Sequence, residues 1–83
     1  GCDIAMVKPG LPYLDVLKEV SSSIERPVAV YNVSGEYSMV MGYANDSIQR
    51  KRVVLEILGS FIRAGADIIV SYHSREAIRE GWV

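Results

Sequence analysis

The chain has 83 residues, 49% of them hydrophobic and 23% charged, with nine Lys or Arg against ten Asp or Glu. That length allows one domain at most, and that composition excludes disorder. The balance of charge leaves no basic excess to neutralise phosphates, so no nucleic-acid partner is expected. No apolar run approaches the roughly 20 residues of a membrane-spanning helix, so no membrane partner is expected either.

A chain this short buries only about 60% of its unfolded surface. Small domains compensate with disulfides or a structural metal. Here there is one cysteine, Cys2, and one histidine, His73. Neither an intrachain disulfide nor a Cys/His zinc site can be assembled from these, and the lone cysteine fits a reducing compartment. The apolar, unstapled chain therefore raises the question of whether it is a whole protein or part of one.

In chain order, residues 3–8 (DIAMVK) open with a short β-rich apolar run that reads as a buried strand. Residues 12–24 follow as a helix, with Pro12 in its first turn and Tyr13, Leu14, Leu17 and Val20 on one face. Residues 27–33 (PVAVYNV) read as a second strand opened by Pro27, which lacks the N–H for a ladder position. A short amphipathic piece at 36–44 precedes a longer helix at 47–64. The stripe Val53, Val54, Ile57, Leu58, Phe61, Ile62 runs along that helix, with Asp46 as N-cap and Gly65 as terminator. Residues 67–72 (DIIVSY) read as a third strand, and Ser74 caps a last helix through 80. The order β-α-β-α-α-β-α predicts parallel strands joined by helical crossovers. The strands lack clean alternation, as expected when both faces are covered. Three such units are about three-eighths of an eight-stranded α/β barrel of roughly 250 residues, or half of a doubly wound sheet.

In parallel α/β folds, sites gather at the carboxyl ends of the strands. That rim here carries Lys8-Pro9-Gly10, then residues 31–36 (YNVSGE), then Ser71-Tyr72-His73. Lys8 follows an apolar strand, and partial desolvation there would lower its pKa and free an amine able to attack a ketone. A lysine that simply ends a strand by reaching water is the commoner case. Pro9 biases Lys8 toward extended backbone, and Gly10 adds conformational freedom beside it. Ser34 and the free amides of the helix it opens would suit a carboxylate, although an ordinary serine N-cap looks the same from sequence. Tyr31 and Tyr72 can pack as core or offer phenols to a ligand. Asn32 falls on the opposite strand face from Tyr31, His73 lacks partners for a metal, and Arg50-Lys51-Arg52 reads as a solvated helix start. No glycine-rich nucleotide motif is present.

Three segments occur in order: Met6-Val7-Lys8-Pro9-Gly10-Leu11-Pro12-Tyr13-Leu14-Asp15, then Tyr31-x-Val33-Ser34-Gly35-Glu36-Tyr37-x-Met39, then Arg63-Ala64-Gly65-Ala66-Asp67-Ile68-Ile69-x-x-Tyr72. Together they strongly resemble the C-terminal part of the porphobilinogen synthase (δ-aminolevulinic acid dehydratase) family. The resemblance implies that residues 1–83 are the last three βα units of a single TIM (β/α)8 barrel catalytic domain. It implies condensation of two 5-aminolevulinate molecules to porphobilinogen with loss of water, in tetrapyrrole biosynthesis. Lys8 would form the Schiff base with the substrate ketone, Ser34 and Tyr72 would hold that substrate's carboxylate, and Tyr31 would pack beside the Schiff base. No cofactor is implied within this chain. The family's zinc or magnesium ligands, its second lysine and its octamer-forming N-terminal arm would all lie upstream of Gly1, and Cys2 does not match the zinc cysteines. Implied partners are 5-aminolevulinate, the remainder of the barrel and further copies in a homo-octamer; the implied compartment is the cytoplasm, or a plastid.

The match has departures. Residues 21–26 are short, residues 42–52 differ in sequence, and His73 stands where an aromatic residue is commoner. Gly1 immediately precedes a strand expected to be buried, which suits a cut through a larger barrel, so the isolated chain is expected to be inactive. Two other readings belong to different classes: a non-catalytic α/β module that keeps a carboxylate pocket, and a piece that serves only as packing for a partner polypeptide.

Overall fold

The computed structural model describes residues 3–83. The readings placed on Gly1 and Cys2 lie outside the described residues. The elements run β1 (Ala5–Val7), a 3₁₀ turn (Leu11–Tyr13), α1 (Leu14–Ser23), β2 (Val28–Asn32), α2 (Ser34–Tyr43), α3 (Ser47–Arg63), β3 (Ile68–Ser71) and α4 (Ser74–Arg79). This is the expected order, with one refinement. Pro12 sits in a 3₁₀ turn, and the α-helix proper begins at Leu14.

The strands form one parallel sheet in the order β1-β2-β3. Met6 lies opposite Ala29, Val30 opposite Ile69, and Asn32 opposite Ser71. Asp67 fixes the start of the β2–β3 pair twice: its N–H donates to the Val28 carbonyl at 2.8 Å, and its Oδ2 accepts from the Val28 N–H at 2.9 Å.

Side chains alternate across a strand, so each face takes every second residue. Val7, Val28 and Val30 point to the face covered by the helices and form the core with Leu17 of α1 and Phe61 of α3. Leu14, Val20, Ile57, Leu58 and Ile69 pack around that cluster. Tyr13 and Ile62, expected on the buried stripes, are exposed at 46% and 63%. Tyr13 belongs to the 3₁₀ turn, whose tighter winding takes it off the face of α1. Ile62 directly follows buried Phe61, about 100° round the helix from it.

The strands expected to be covered on both faces divide: β2 is buried along nearly its whole length, Ala29 included, while β1 and β3 are covered on one face by the described residues. Met6, Ile68 and Val70 remain exposed, because the helices that cover the core lie on the opposite face. The burial of β3 alternates along its length, as for a sheet with one open face.

Helix ends follow local chemistry. Asp46 caps α3 by accepting from the Gln49 N–H at 2.8 Å, and Gln49 Oε1 accepts from the Asn45 N–H at 2.8 Å. Gly65 ends α3 at φ +107, and a Cβ there would strike Ser21 of α1. Ser34 and Ser74 are not caps. Val33 and His73 occupy those positions, without side-chain cap bonds, and each serine is the first helical residue. Gly10 has ordinary helical backbone, so the expected conformational freedom is not its role. It is needed for space: a Cβ would lie 2.7 Å from both Phe61 and Val30.

Candidate functional site

The strand alternation that buries Val7 and Val30 aims Lys8 and Tyr31 at the open face, above the exposed Met6 and Val70. Tyr72, one residue past β3, joins them. The Lys8 Nζ lies 5.5 Å from the centre of the Tyr31 ring, within cation–π range. The Lys8–Pro9 peptide is cis. The Tyr31 and Tyr72 hydroxyls lie 3.1 Å apart. That hydrogen bond, then burial, then the charge Tyr72 would carry, raise the Tyr31 phenol above its ordinary value of 10. The pair shares one hydrogen bond, so one of its two O–H groups remains free to donate to a ligand.

Lys8, Tyr31 and Tyr72 are thus brought together as expected. Ser34 sits two residues beyond β2 on the same carboxyl edge, exposed, beside the first-turn amides of α2. It makes no hydrogen bond with the other three among the described residues. The desolvation expected at Lys8 depends on a cover that the described residues do not supply. Its side chain is exposed, because the open face beneath it carries no covering layer among the described residues.

Behind this rim, on the closed face, lies a set of buried polar groups. Asn32 and His73 are at most 2% exposed and Glu36 is 5% exposed. The Glu36 carboxylate accepts from the Leu11 N–H at 3.2 Å through Oε2 and from the Asn32 side-chain amide through Oε1. Asn32 Oδ1 accepts from the Ser71 hydroxyl at 2.8 Å, and Ser71 Oγ accepts from the His73 N–H at 3.1 Å. The signal for this set was period two combined with register. Asn32 is a polar residue on a core-facing strand position, its partner in register is Ser71, and Glu36 is four residues on.

Tyr37 lies in the second family-like segment, and its sequence position alone points to no role. Its ring packs 5.7 Å from that of Tyr72 and 4.6 Å from the His73 imidazole, and so props the Tyr72 ring. Burial, against the pull of Glu76 and with the push of Arg50, lowers the His73 imidazole below 6.5, and its Nε2 has no hydrogen-bond partner. Arg50 corrects the reading of residues 50–52 as solvated. It forms a two-pronged pair with Glu76 of α4 at 2.7 and 2.9 Å, while Lys51 and Arg52 are exposed as expected. The Arg50 hydrogen bond holds the Glu76 carboxyl below 4.5. Such a contact is not periodic in sequence, which is why patterning missed it.

The described residues contain no group of three or more His, Cys, Asp or Glu able to hold a metal ion. They do not by themselves fit a zinc or magnesium centre. No helix is long and apolar enough to cross a membrane among the described residues.

Fold and rim together define a parallel α/β layer of βαβ units, with an amine and a phenol pair at the carboxyl edge of its sheet. A family model described as delta-aminolevulinic acid dehydratase matches residues 1–80. The chain is 55% identical over 80 residues to the delta-aminolevulinic acid dehydratase of Synechococcus elongatus, covering 95% of this chain and 24% of that protein. It is 49% identical over 80 residues to that of Bacillus subtilis, covering 95% of this chain and 25% of that protein. A crystal structure of delta-aminolevulinic acid dehydratase (porphobilinogen synthase) from Toxoplasma gondii ME49, in complex with the reaction product porphobilinogen, superposes with a TM-score of 0.85 at 46% identity. The superposition covers 96% of this chain and 23% of that one. The chain belongs to the delta-aminolevulinic acid dehydratase family. It spans about a quarter of the length of the curated relatives it matches.

Proposed function

We propose that residues 1–83 are the C-terminal three βα units of a (β/α)8 barrel catalytic domain, and that the whole protein condenses two 5-aminolevulinate molecules to porphobilinogen. Lys8 is the nucleophile. Its neutral amine attacks the ketone of one substrate, and the carbinolamine loses water to leave a Schiff base. Tyr72 and Ser34, with the free amides of α2, receive that substrate's carboxylate. Tyr31 packs beside the Schiff base and orients Tyr72 through the shared hydrogen bond. The observation that carries this reading is Lys8 beside the Tyr31–Tyr72 pair on one rim, in a chain of this family.

An exposed ammonium is a poor nucleophile, so the chemistry needs a dry wall over the open face. A groove of about 330 Å³ along the free edge of β1, lined by Met6, Lys8, Tyr13 and Val16 among others, supports seating another βα unit there. The second substrate, any zinc or magnesium ion and the contacts of a homo-octamer belong to polypeptide beyond this segment. We place the protein in the cytoplasm or a plastid. The exposure of Lys8 favours a second reading for the 83 residues alone, that of a carboxylate-binding module without turnover.

Both readings meet in one assay of porphobilinogen formation from 5-aminolevulinate. The complete gene product carrying this segment should turn over, and the 83-residue chain should not. A complete gene product without turnover, or an isolated chain matching its rate, overturns the proposal.

A further inference from the structure

The rim residues and the buried polar groups alternate along the same backbone. Tyr31 precedes Asn32, Ser34 precedes Glu36 by two, Tyr72 lies between Ser71 and His73, and Lys8 is three residues before Leu11. Each group assigned to chemistry therefore has a hydrogen-bonded neighbour on the closed side of the sheet. The bonds run in one sense. The His73 N–H donates to Ser71, the Ser71 hydroxyl to Asn32 and the Asn32 amide to Glu36, while the Leu11 N–H donates to the other Glu36 oxygen. Bonds chained in this way polarise one another, and a chain that ends on a carboxylate that only accepts has a fixed orientation.

We propose that Glu36 is a positioning residue: its buried carboxylate ties the segment after β1 to the end of β2 and, through Asn32 and Ser71, to the turn after β3, and so sets Lys8, Tyr31 and Tyr72 relative to one another. This rests on the Schiff-base reading of Lys8 given above. The sheet ladder fixes Tyr31, which pairs with Val70, but not the other two. The paired positions end at Val7, Asn32 and Ser71, and Lys8 and Tyr72 both lie beyond it. The core reaches this rim at Gly10, beside Phe61 and Val30, and at Leu11, but Lys8, Tyr31 and Tyr72 are not among the side chains of its cluster.

Glu36→Gln keeps the shape and inverts part of the pattern. The Gln amide nitrogen would face one of two donors, Asn32 Nδ2 or the Leu11 N–H. Turning the Asn32 amide over relieves the first clash, but only by aiming its NH₂ at Ser71 and displacing the hydroxyl proton that now points there. Ser71→Ala cuts only the branch on either side of Tyr72.

The test uses borohydride trapping of 5-aminolevulinate on the complete gene product, with trapped sites counted and turnover expressed per trapped site. Glu36→Gln should trap to full stoichiometry at saturating substrate but turn over at least about tenfold more slowly per site, as for a misplaced reacting group. Ser71→Ala should raise the 5-aminolevulinate concentration for half-maximal trapping about fivefold or more, with a smaller change in the saturating rate, because it loosens the carboxylate partner rather than the amine. A Gln variant with fewer trapped sites but unchanged turnover per site has lost folded protein only, and overturns the inference. So does a Ser71→Ala variant that saturates like the unaltered protein, which keeps the test decisive if Glu36→Gln does not fold. If the unaltered protein forms no adduct, the Schiff-base reading falls and takes this inference with it. Normal trapping and turnover in every variant overturns the inference alone.

Discussion

On one face of the sheet Val7, Val28 and Val30 lie under Leu17 and Phe61, none of them more than 7% exposed; on the other, Met6, Val70 and Tyr72 stand between 42% and 55% exposed. The same three strands supply both faces, one residue to each in turn. The closed face is completed by the chain's own helices. The open face holds an amine, two phenols and bare apolar surface. On the proposed function, stability and chemistry fall to alternate residues, and a substitution should disturb one or the other according to the side on which it falls.

The sharpest separation is at Lys8. Replacing it by Ala should abolish borohydride-trapped 5-aminolevulinate in the complete gene product. Unfolding stability should change by no more than about 1 kcal/mol, the range for an exposed cation over a ring. Loss of folded protein instead would place Lys8 in the structural half. Phe61→Ala tests the opposite side. It removes a fully buried ring from the centre of the core and should cost about 3–5 kcal/mol in urea unfolding. A cost near that of a surface residue would mean that the closed face is not closed.

Gly10→Ala is a smaller insult at the seam between the faces. The added methyl meets Phe61 and Val30, and overpacking of this kind costs about 1–3 kcal/mol. No loss of stability would show that those side chains yield freely.

The smallest effect is one of pH. Burial depresses the His73 imidazole in the folded chain, so the unfolded chain takes up the proton first. The His73 contribution to stability is complete above the unfolded value of 6.5 and is lost as pH falls below it. Glu76, held low by Arg50, contributes stability above 4.5 that is lost at lower pH. His73→Phe removes no hydrogen bond, because the imidazole makes none with the described residues. It should leave stability at about pH 7 within roughly 1 kcal/mol and flatten its fall as pH drops below 6.5, while the acid loss from Glu76 persists. Parallel pH profiles for the two proteins would contradict the burial of His73.

Much of this was legible in the sequence, for identifiable reasons. Strand and helix order followed from apolar periodicity and from breakers such as Pro27 and Gly65. The placing of Lys8, Tyr31 and Tyr72 on one rim follows from the rule that sites gather at the carboxyl ends of parallel strands, and their joint role only from the resemblance to the family. What escaped depends on pairs distant in sequence. Arg50 with Glu76 and Glu36 with the Leu11 N–H are 26 and 25 residues apart, and neither leaves a periodic trace. The cap positions were displaced by one residue because a serine at the first helical position looks like one at the cap. The apolar residues of the open face signal a cover, but apolar residues on a strand do not say which polypeptide supplies it.

The most direct test of the division between the faces is to reduce the complete gene product with borohydride in the presence of 5-aminolevulinate, digest it and locate the adduct by mass spectrometry. A single substrate adduct on Lys8 is expected from this segment, with none on Lys18 or Lys51. An unmodified Lys8 in a protein that makes porphobilinogen would contradict it.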